Sequence, residues 1–238
     1  QRLPVHCHPS NDFARKHMNS HYGKTEAWII VDTPDGGGAV HIGFRSDVPA
    51  ATVADWVAEQ DTAAMLSALN PVTVRPGDTV FVPAGLPHAI GAGVFIVELQ
   101  QPTDLSVTLE WKDFLSDETG GHLGFGYDVV LGCVDRSGWD TSRLSAIVRH
   151  ASDSSPVTDL LGPDAASFFR AQRIRGGASL DPSFSILVAL EGSGTLTTEQ
   201  GSFDVNKGDT YVLPFSAGQA TVDGEVTAIR CLPPEVPA

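Results

Sequence analysis

The chain has 238 residues and a net charge of −14, with 42% hydrophobic residues, 18% charged residues, 24 glycines and 16 prolines. That length suits one large domain or two small ones, and the Gly and Pro content points to a turn-rich β fold rather than a helical bundle. The acidic balance, with no basic cluster, argues against a nucleic-acid partner, and any anionic ligand would need cations close by.

The chain opens on "LPVHCHPSNDF" (residues 3–13), where His6 and His8 stand one residue apart in an extended-looking stretch that Pro9 ends. On a strand, residues i and i+2 share a face, so the two imidazoles converge while Cys7 points the other way. "EAWIIVD" (26–32) reads as a strand, "TPDGGG" as a turn and "AVHIGF" as a second strand. Residues 50–69 differ: Val53, Trp56, Val57, Met65, Leu66 and Leu69 mark one face of a helix or helix pair. Ser46 or Asp47 is its expected cap and Asn70-Pro71 its expected end. From "VTVRPGDTVFVPAG" onward, strands and tight turns are expected to the end, with weaker polar stretches near 116–121 and 151–165. No apolar run approaches ~18 residues, so no membrane span is expected. No signal peptide is recognisable, and without an initiator Met an upstream segment is expected to have been removed. Cys7, Cys133 and Cys231 are far apart and odd in number, which argues against a disulfide framework and for a reducing compartment.

The sequence repeats itself. "VRPGDTVFVP" (74–83) and "VNKGDTYVLP" (205–214) share a Gly-Asp turn, an apolar strand and a closing proline, 131 residues apart. Two copies of one β unit are the reading that follows.

The first copy continues "PAGLPHAIG", which presents His88 at the start of the next run. Glu26 begins the strand after the His-x-His segment, with Lys24 on the same face. Three imidazoles and one carboxylate make a mixed nitrogen and oxygen site suited to Zn²⁺, Fe²⁺, Mn²⁺, Co²⁺ or Ni²⁺ with open positions, whereas Ca²⁺ prefers all-oxygen ligands. Glu98 in "VFIVELQQ" is the first candidate for a catalytic base and Lys24 the second polar group. Gln100 shares a face with Glu98 and could hydrogen-bond a substrate hydroxyl. Trp28 is expected in the core. His17, His21, His41, His122 and His150 lack partner spacing, so surface or loop roles are their default.

His-x-His, a later Glu, and G-x5-P-x-G-x2-H together form the two-part signature of the cupins. More narrowly, "HPSNDFARKHMNSHYGKTEAWIIVD", "VPAGLPHAIGAG" and "ELQQPTDL" resemble the type I mannose-6-phosphate isomerases. The resemblance implies an all-β bicupin of two jelly-roll barrels, with a short helical insertion near 50–69. The first, metal-binding barrel would span 1–135 and the second, metal-free barrel 136–238. It implies one divalent transition metal, usually zinc, held by His6, His8, Glu26 and His88. It also implies a cytoplasmic enzyme that interconverts an aldose and a ketose by moving a proton between C1 and C2. Partners would be a small carbohydrate, with neither nucleic acid nor membrane. Two departures stand out. The family usually has Gln-x-His where this chain has His6-Cys7-His8, and its catalytic arginine is matched by Thr108. The three-His, one-Glu set also serves other metal cupins, so an epimerase or oxygenase is the alternative enzyme. A carbohydrate-binding sensor without catalysis is the alternative from another class. Mannose 6-phosphate is expected to be a poor substrate unless Arg2 or Arg45 folds in to replace the missing arginine, since arginine is the natural bidentate partner of phosphate.

Overall fold

The computed structural model describes residues 1–35, 37–150 and 155–235, and it divides the chain into two compact units, 1–148 and 149–238. In the first unit the strands are β1 (His6–Cys7), β2 (Glu26–Asp32), β3 (Gly38–Phe44), β4 (Leu69–Val74), β5 (Thr79–Val82), β6 (His88–Ile90), β7 (Phe95–Gln100) and β8 (Val107–Thr108). One antiparallel sheet runs β4-β3-β6-β1-β8, and in the other β2 lies between β5 and β7. The fold is that of the cupins: mostly strand, in several antiparallel sheets.

Alternation along these strands explains where the core sits. Ile42, His88, His6 and Thr108 stand opposite one another and therefore share one face of the first sheet. Trp28, Ile30, Val40, Ile42, Val80 and Ile90 pack together between the two sheets. On the other face, Cys7, Ala89 and Val107 join Val53, Val57 and Met65 in a second cluster. The last three belong to α2 (Ala50–Glu59) and α3 (Thr62–Ala68), the helix pair read from the 50–69 periodicity.

Its ends differ from the expectation. Pro49 occupies the cap position without a side-chain bond, and Asp47 instead accepts from Gly138 N at 2.7 Å. Asn70-Pro71 lies inside β4, where Asn70 Nδ2 reaches the carbonyls of Gly43 and Trp139. The expectation of continuous strands after residue 72 also fails. After α1 (Asn11–His17), α2 and α3, three more α-helices follow among the described residues: α4 (Glu118–Gly121), α5 (Tyr127–Val130) and α6 (Thr141–Ile147). Asp117 and Asp140 cap α4 and α6 by accepting backbone N–H bonds, the standard way to satisfy the free donors of a helix start.

β9 (Val148–Arg149) falls at the division. The second unit holds β10 (Val157–Asp159), β11 (Arg170–Arg175), β12 (Ala178–Leu180), β13 (Ser185–Glu191), β14 (Ser193–Thr198), β15 (Gly201–Asn206), β16 (Thr210–Leu213), β17 (Ala220–Gly224) and β18 (Thr227–Leu232). They form two antiparallel sheets, β10-β11-β18-β13-β16 and β12-β17-β14-β15, around Ile174, Leu187, Leu196 and Val222. Part of the polar stretch near 151–165, residues 151–154, lies outside the described residues.

The sequence repeat is also a repeat of hydrogen bonds. Arg75 N donates to Asp78 Oδ2 at 2.9 Å, and Asn206 N to Asp209 Oδ2 at 2.8 Å. Gly77 N donates to Ile30 O at 2.8 Å, and Gly208 N to Ala189 O at 2.9 Å. Both glycines are left-handed, at φ +91° and +93°, where a side chain would be strained.

Candidate metal centre

Three segments bring the expected ligands to one end of the core between the sheets of the first unit. β1 and β6 pair so that His6 stands opposite His88. His8 follows β1, where the chain is strapped twice: Gly85 N donates to His8 O at 2.7 Å and Lys24 N to Pro9 O at 3.0 Å. Both straps depend on glycine. Gly85 is left-handed, at φ +89°, and a Cβ on Gly23 would lie 2.1 Å from Pro9 O. β2 begins at Glu26, above the buried Trp28 ring, whose Nε1 donates to Glu26 Oε1 at 2.9 Å.

Most of the resulting cluster is buried, with His6 partly exposed. His8, Glu26 and His88 are at most 1% exposed. Among the described residues, His6, His8 and His88 form the group of potential ligands whose donor atoms all lie within 4.8 Å of one another. His88 Nε2 stands 2.9 Å from His6 Nε2 and 3.2 Å from Glu26 Oε1, and His8 Nε2 is 3.1 Å from Glu26 Oε2. Each ring's other nitrogen is held by a backbone carbonyl: His6 Nδ1 by Pro4 O (2.8 Å), His8 Nδ1 by Leu105 O (3.0 Å) and His88 Nδ1 by Leu86 O (2.8 Å). A carbonyl only accepts, so each Nδ1 carries the hydrogen and a neutral ring has a bare Nε2. Burial, with the neighbouring imidazoles, pushes His6 well below its ordinary pKa, and burial also lowers His8 against the pull of Glu26.

Lone pairs facing one another in a buried site repel unless a cation lies among them. His8 Nε2 is buried without a hydrogen-bond partner, which marks the same need. Ligands at roughly 2.0–2.1 Å from a transition ion sit roughly 2.9–3.4 Å from each other in octahedral or tetrahedral geometry, the range of the spacings here. The residues therefore fit a divalent transition ion. The carbonyls that fix the three tautomers are the outer-shell support such sites use.

Two further charged groups adjoin the cluster. Lys24 Nζ is 2.9 Å from Glu26 Oε2 and 3.2 Å from Glu98 Oε1. Burial pulls the Lys24 ammonium down, but Glu26 and Glu98 outweigh it and raise its pKa. Burial and the Glu26 charge raise the Glu98 carboxyl, with Lys24 partly opposing. Burial likewise works against the Glu26 carboxylate, yet His8 and His88 hold it below its usual range.

Other expectations can be placed. Trp28 is fully buried. Gln100 is exposed and donates to Thr103 O at 2.9 Å. His17, His21 and His150 are exposed, and His41 and His122 are half-buried. Thr108 is buried and faces the same side of the sheet as His6. Neither substitute arginine takes its place: Arg2 Nη1 pairs with Glu110 Oε2 at 2.6 Å, and Arg45 Nε donates to Leu69 O at 2.9 Å.

A family model for the cupin domain of mannose-6-phosphate isomerase matches residues 169–233. The chain is 27% identical over 238 residues to the mannose-6-phosphate isomerase ManA of Bacillus subtilis, covering 96% of this chain and 70% of that protein. It is 24% identical over 241 residues to the mannose-6-phosphate isomerase of Streptococcus mutans, covering 95% and 69%. The chain is thus similar to mannose-6-phosphate isomerases over almost its whole length. The crystal structure of the mannose 6-phosphate isomerase from Bacillus subtilis superimposes with a TM-score of 0.77 at 23% identity, covering 97% of this chain and 71% of that one, which agrees on the fold.

Residues not among the expected site residues hold the centre together. Gln101 is buried; its Oε1 accepts from Thr25 N at 3.0 Å, and its Nε2 donates to Asn11 Oδ1 at 3.0 Å. Asn11 Oδ1 also accepts from Gly23 N at 2.8 Å. This network holds the segment that carries Lys24 and Glu26. The available signal was local: Pro4 and Leu86 each precede a histidine by two residues, and Trp28 follows Glu26 by two.

Proposed function

We propose that this protein is a metal-dependent aldose–ketose isomerase acting on a sugar or sugar phosphate, built as a bicupin whose first half carries the reaction. The observation that carries this reading is the convergence of three bare Nε2 atoms and the Glu26 carboxylate on one point beside Lys24 and Glu98. His6, His8, Glu26 and His88 would be the ligands, and zinc heads the candidates. A bound divalent ion supplies the positive charge that orients and polarises the sugar's C1 and C2 oxygens. Glu98, its carboxyl raised by burial and by Glu26, accepts the proton from C2 and returns it to C1. The Lys24 ammonium, held between Glu26 and Glu98, donates to the oxygen on which negative charge grows.

A metal-free second half is supported by register. Glu26 stands opposite Val82 on β5, and Ser185 stands opposite Leu213, the residue matched to Val82 in the repeat. Gln219 matches His88 at the same offset. A serine and an amide replace the carboxylate and the imidazole. A cytoplasmic setting is supported by three free cysteines.

The test is proton NMR in D2O with a panel of aldoses and aldose phosphates and the Zn²⁺-, Fe²⁺- or Mn²⁺-loaded protein. Interconversion with deuterium entering at C1 or C2, abolished in Glu98→Gln, is the expected result. Thr108, in place of the family's arginine, favours one other reading: a carbohydrate-binding sensor. Sugar binding by calorimetry without isotope exchange anywhere in the panel would establish it.

A further inference from the structure

Cys7 and Cys133 lie 126 positions apart in the chain, yet their sulfurs are 3.7 Å apart, in van der Waals contact. Cys7 is fully buried on β1 between His6 and His8. Cys133 ends the short 3₁₀ turn Leu131–Cys133 and is half-buried, so a small oxidant can reach it. Two turn residues later, Asp135 N donates to Gly85 O at 2.8 Å, and Gly85 N donates to His8 O at 2.7 Å. Gly85 also lies three residues before His88. Both ends of the thiol pair are therefore mechanically tied to the centre: Cys7 through its own strand, Cys133 through Gly85.

We propose that Cys7 and Cys133 form a reversible disulfide under peroxide and that closing it loosens the metal centre. The Cys133 sulfur attacks hydrogen peroxide, breaking the O–O bond to give a sulfenic acid and one water. The Cys7 sulfur then attacks the sulfenic sulfur, forming the S–S bond and releasing a second water. In sum, two thiols and one peroxide give one disulfide and two waters, and a dithiol reductant returns both thiols. A disulfide needs sulfurs about 2.05 Å apart, so the pair must close by roughly 1.7 Å. β1 is fixed by its pairing with β6 and β8, so the closure strains the segments that orient His6, His8 and His88. Displacing such orienting contacts weakens metal sites by roughly ten- to a hundredfold. Cys231 is an internal control: it belongs to the second unit.

The metal consequence rests on the ligand assignment above, whereas the disulfide does not, so the experiment reads them separately. The full-length protein is treated with stoichiometric peroxide and then digested without reduction. One cross-linked peptide joining Cys7 to Cys133, lighter than the two thiol peptides by two hydrogens and cleaved by dithiothreitol, is the expected result. Cys133→Ser and Cys7→Ser should each lack it, while Cys231→Ser keeps it. Competition with a chromogenic chelator should show the oxidised protein holding Zn²⁺ roughly ten- to a hundredfold more weakly, restored on reduction. A wild-type protein in which Cys133 goes on to sulfinic acid without the cross-link, or cross-links only to Cys231, overturns the disulfide. The Cys7–Cys133 link with unchanged Zn²⁺ affinity overturns the coupling. Absence of any Zn²⁺ binding by the reduced protein overturns the ligand assignment instead.

Discussion

Replacing His88 by alanine tests the proposed centre at the most buried of its proposed ligands. The imidazole is fully enclosed, with Nε2 2.9 Å from His6 Nε2 and 3.2 Å from Glu26 Oε1. Four-ligand structural zinc sites bind with roughly 10–16 kcal/mol, or about 2.5–4 kcal/mol for each ligand. Losing one should therefore weaken the ion by roughly a hundred- to a thousandfold. At an ion concentration a hundred times the wild-type Kd, binding stabilises the fold by about 2.7 kcal/mol. In His88→Ala the same concentration should contribute at most about 0.4 kcal/mol. The assay is urea unfolding of each protein with and without the ion, together with elemental analysis after gel filtration. Comparing each protein with its own ion-free form cancels the cost of the cavity left by the ring. One ion per chain and an undiminished ion-dependent stabilisation in the variant would remove His88 from the site and refute the reasoning.

Acid should destabilise the ion-free protein. Burial depresses His6 and His8, so below pH ~6.5 the unfolded chain takes up protons that the folded chain refuses, and stability falls by up to about 1.4 kcal/mol per pH unit for each ring. Urea unfolding from pH 7 to 5 should show a shallower slope in His6→Asn; an equal slope would assign the protons to other groups. Glu98→Gln should lower kcat by about 10²–10⁴-fold while ion content by elemental analysis stays at the wild-type level. Loss of the ion together with activity would make Glu98 structural. Thr108→Arg should recover a substantial part of ~2–4 kcal/mol of transition-state stabilisation toward mannose 6-phosphate, read as kcat/KM. Efficient turnover of that substrate by the unmodified protein would show that Thr108 is no handicap.

Much of this architecture was legible in the chain because its signals are local. The run "EAWIIVD" is apolar enough to be buried, and it is β2. The 50–69 periodicity marked α2 and α3, although their caps were misplaced, since Pro49 needs no side-chain bond and Asp47 is used elsewhere. The helices after residue 117 were missed. They are four to seven residues long, too short for periodicity to register.

The sequence by itself determined the residue types offered as ligands, the His-x-His spacing that puts His6 and His8 on one face, and the Gly-Asp turn repeated in both units. Those follow from strand period and from backbone angles that only glycine adopts freely. Tertiary structure decided what depends on distant partners. Strand register set His6 against His88, carbonyls of Pro4, Leu86 and Leu105 fixed three tautomers, and Gln101 anchored the segment of Lys24 and Glu26. The contact of Cys7 with Cys133 is of the same kind. Proximity across a hundred residues is set by how the sheets and connections pack, and no local pattern encodes it.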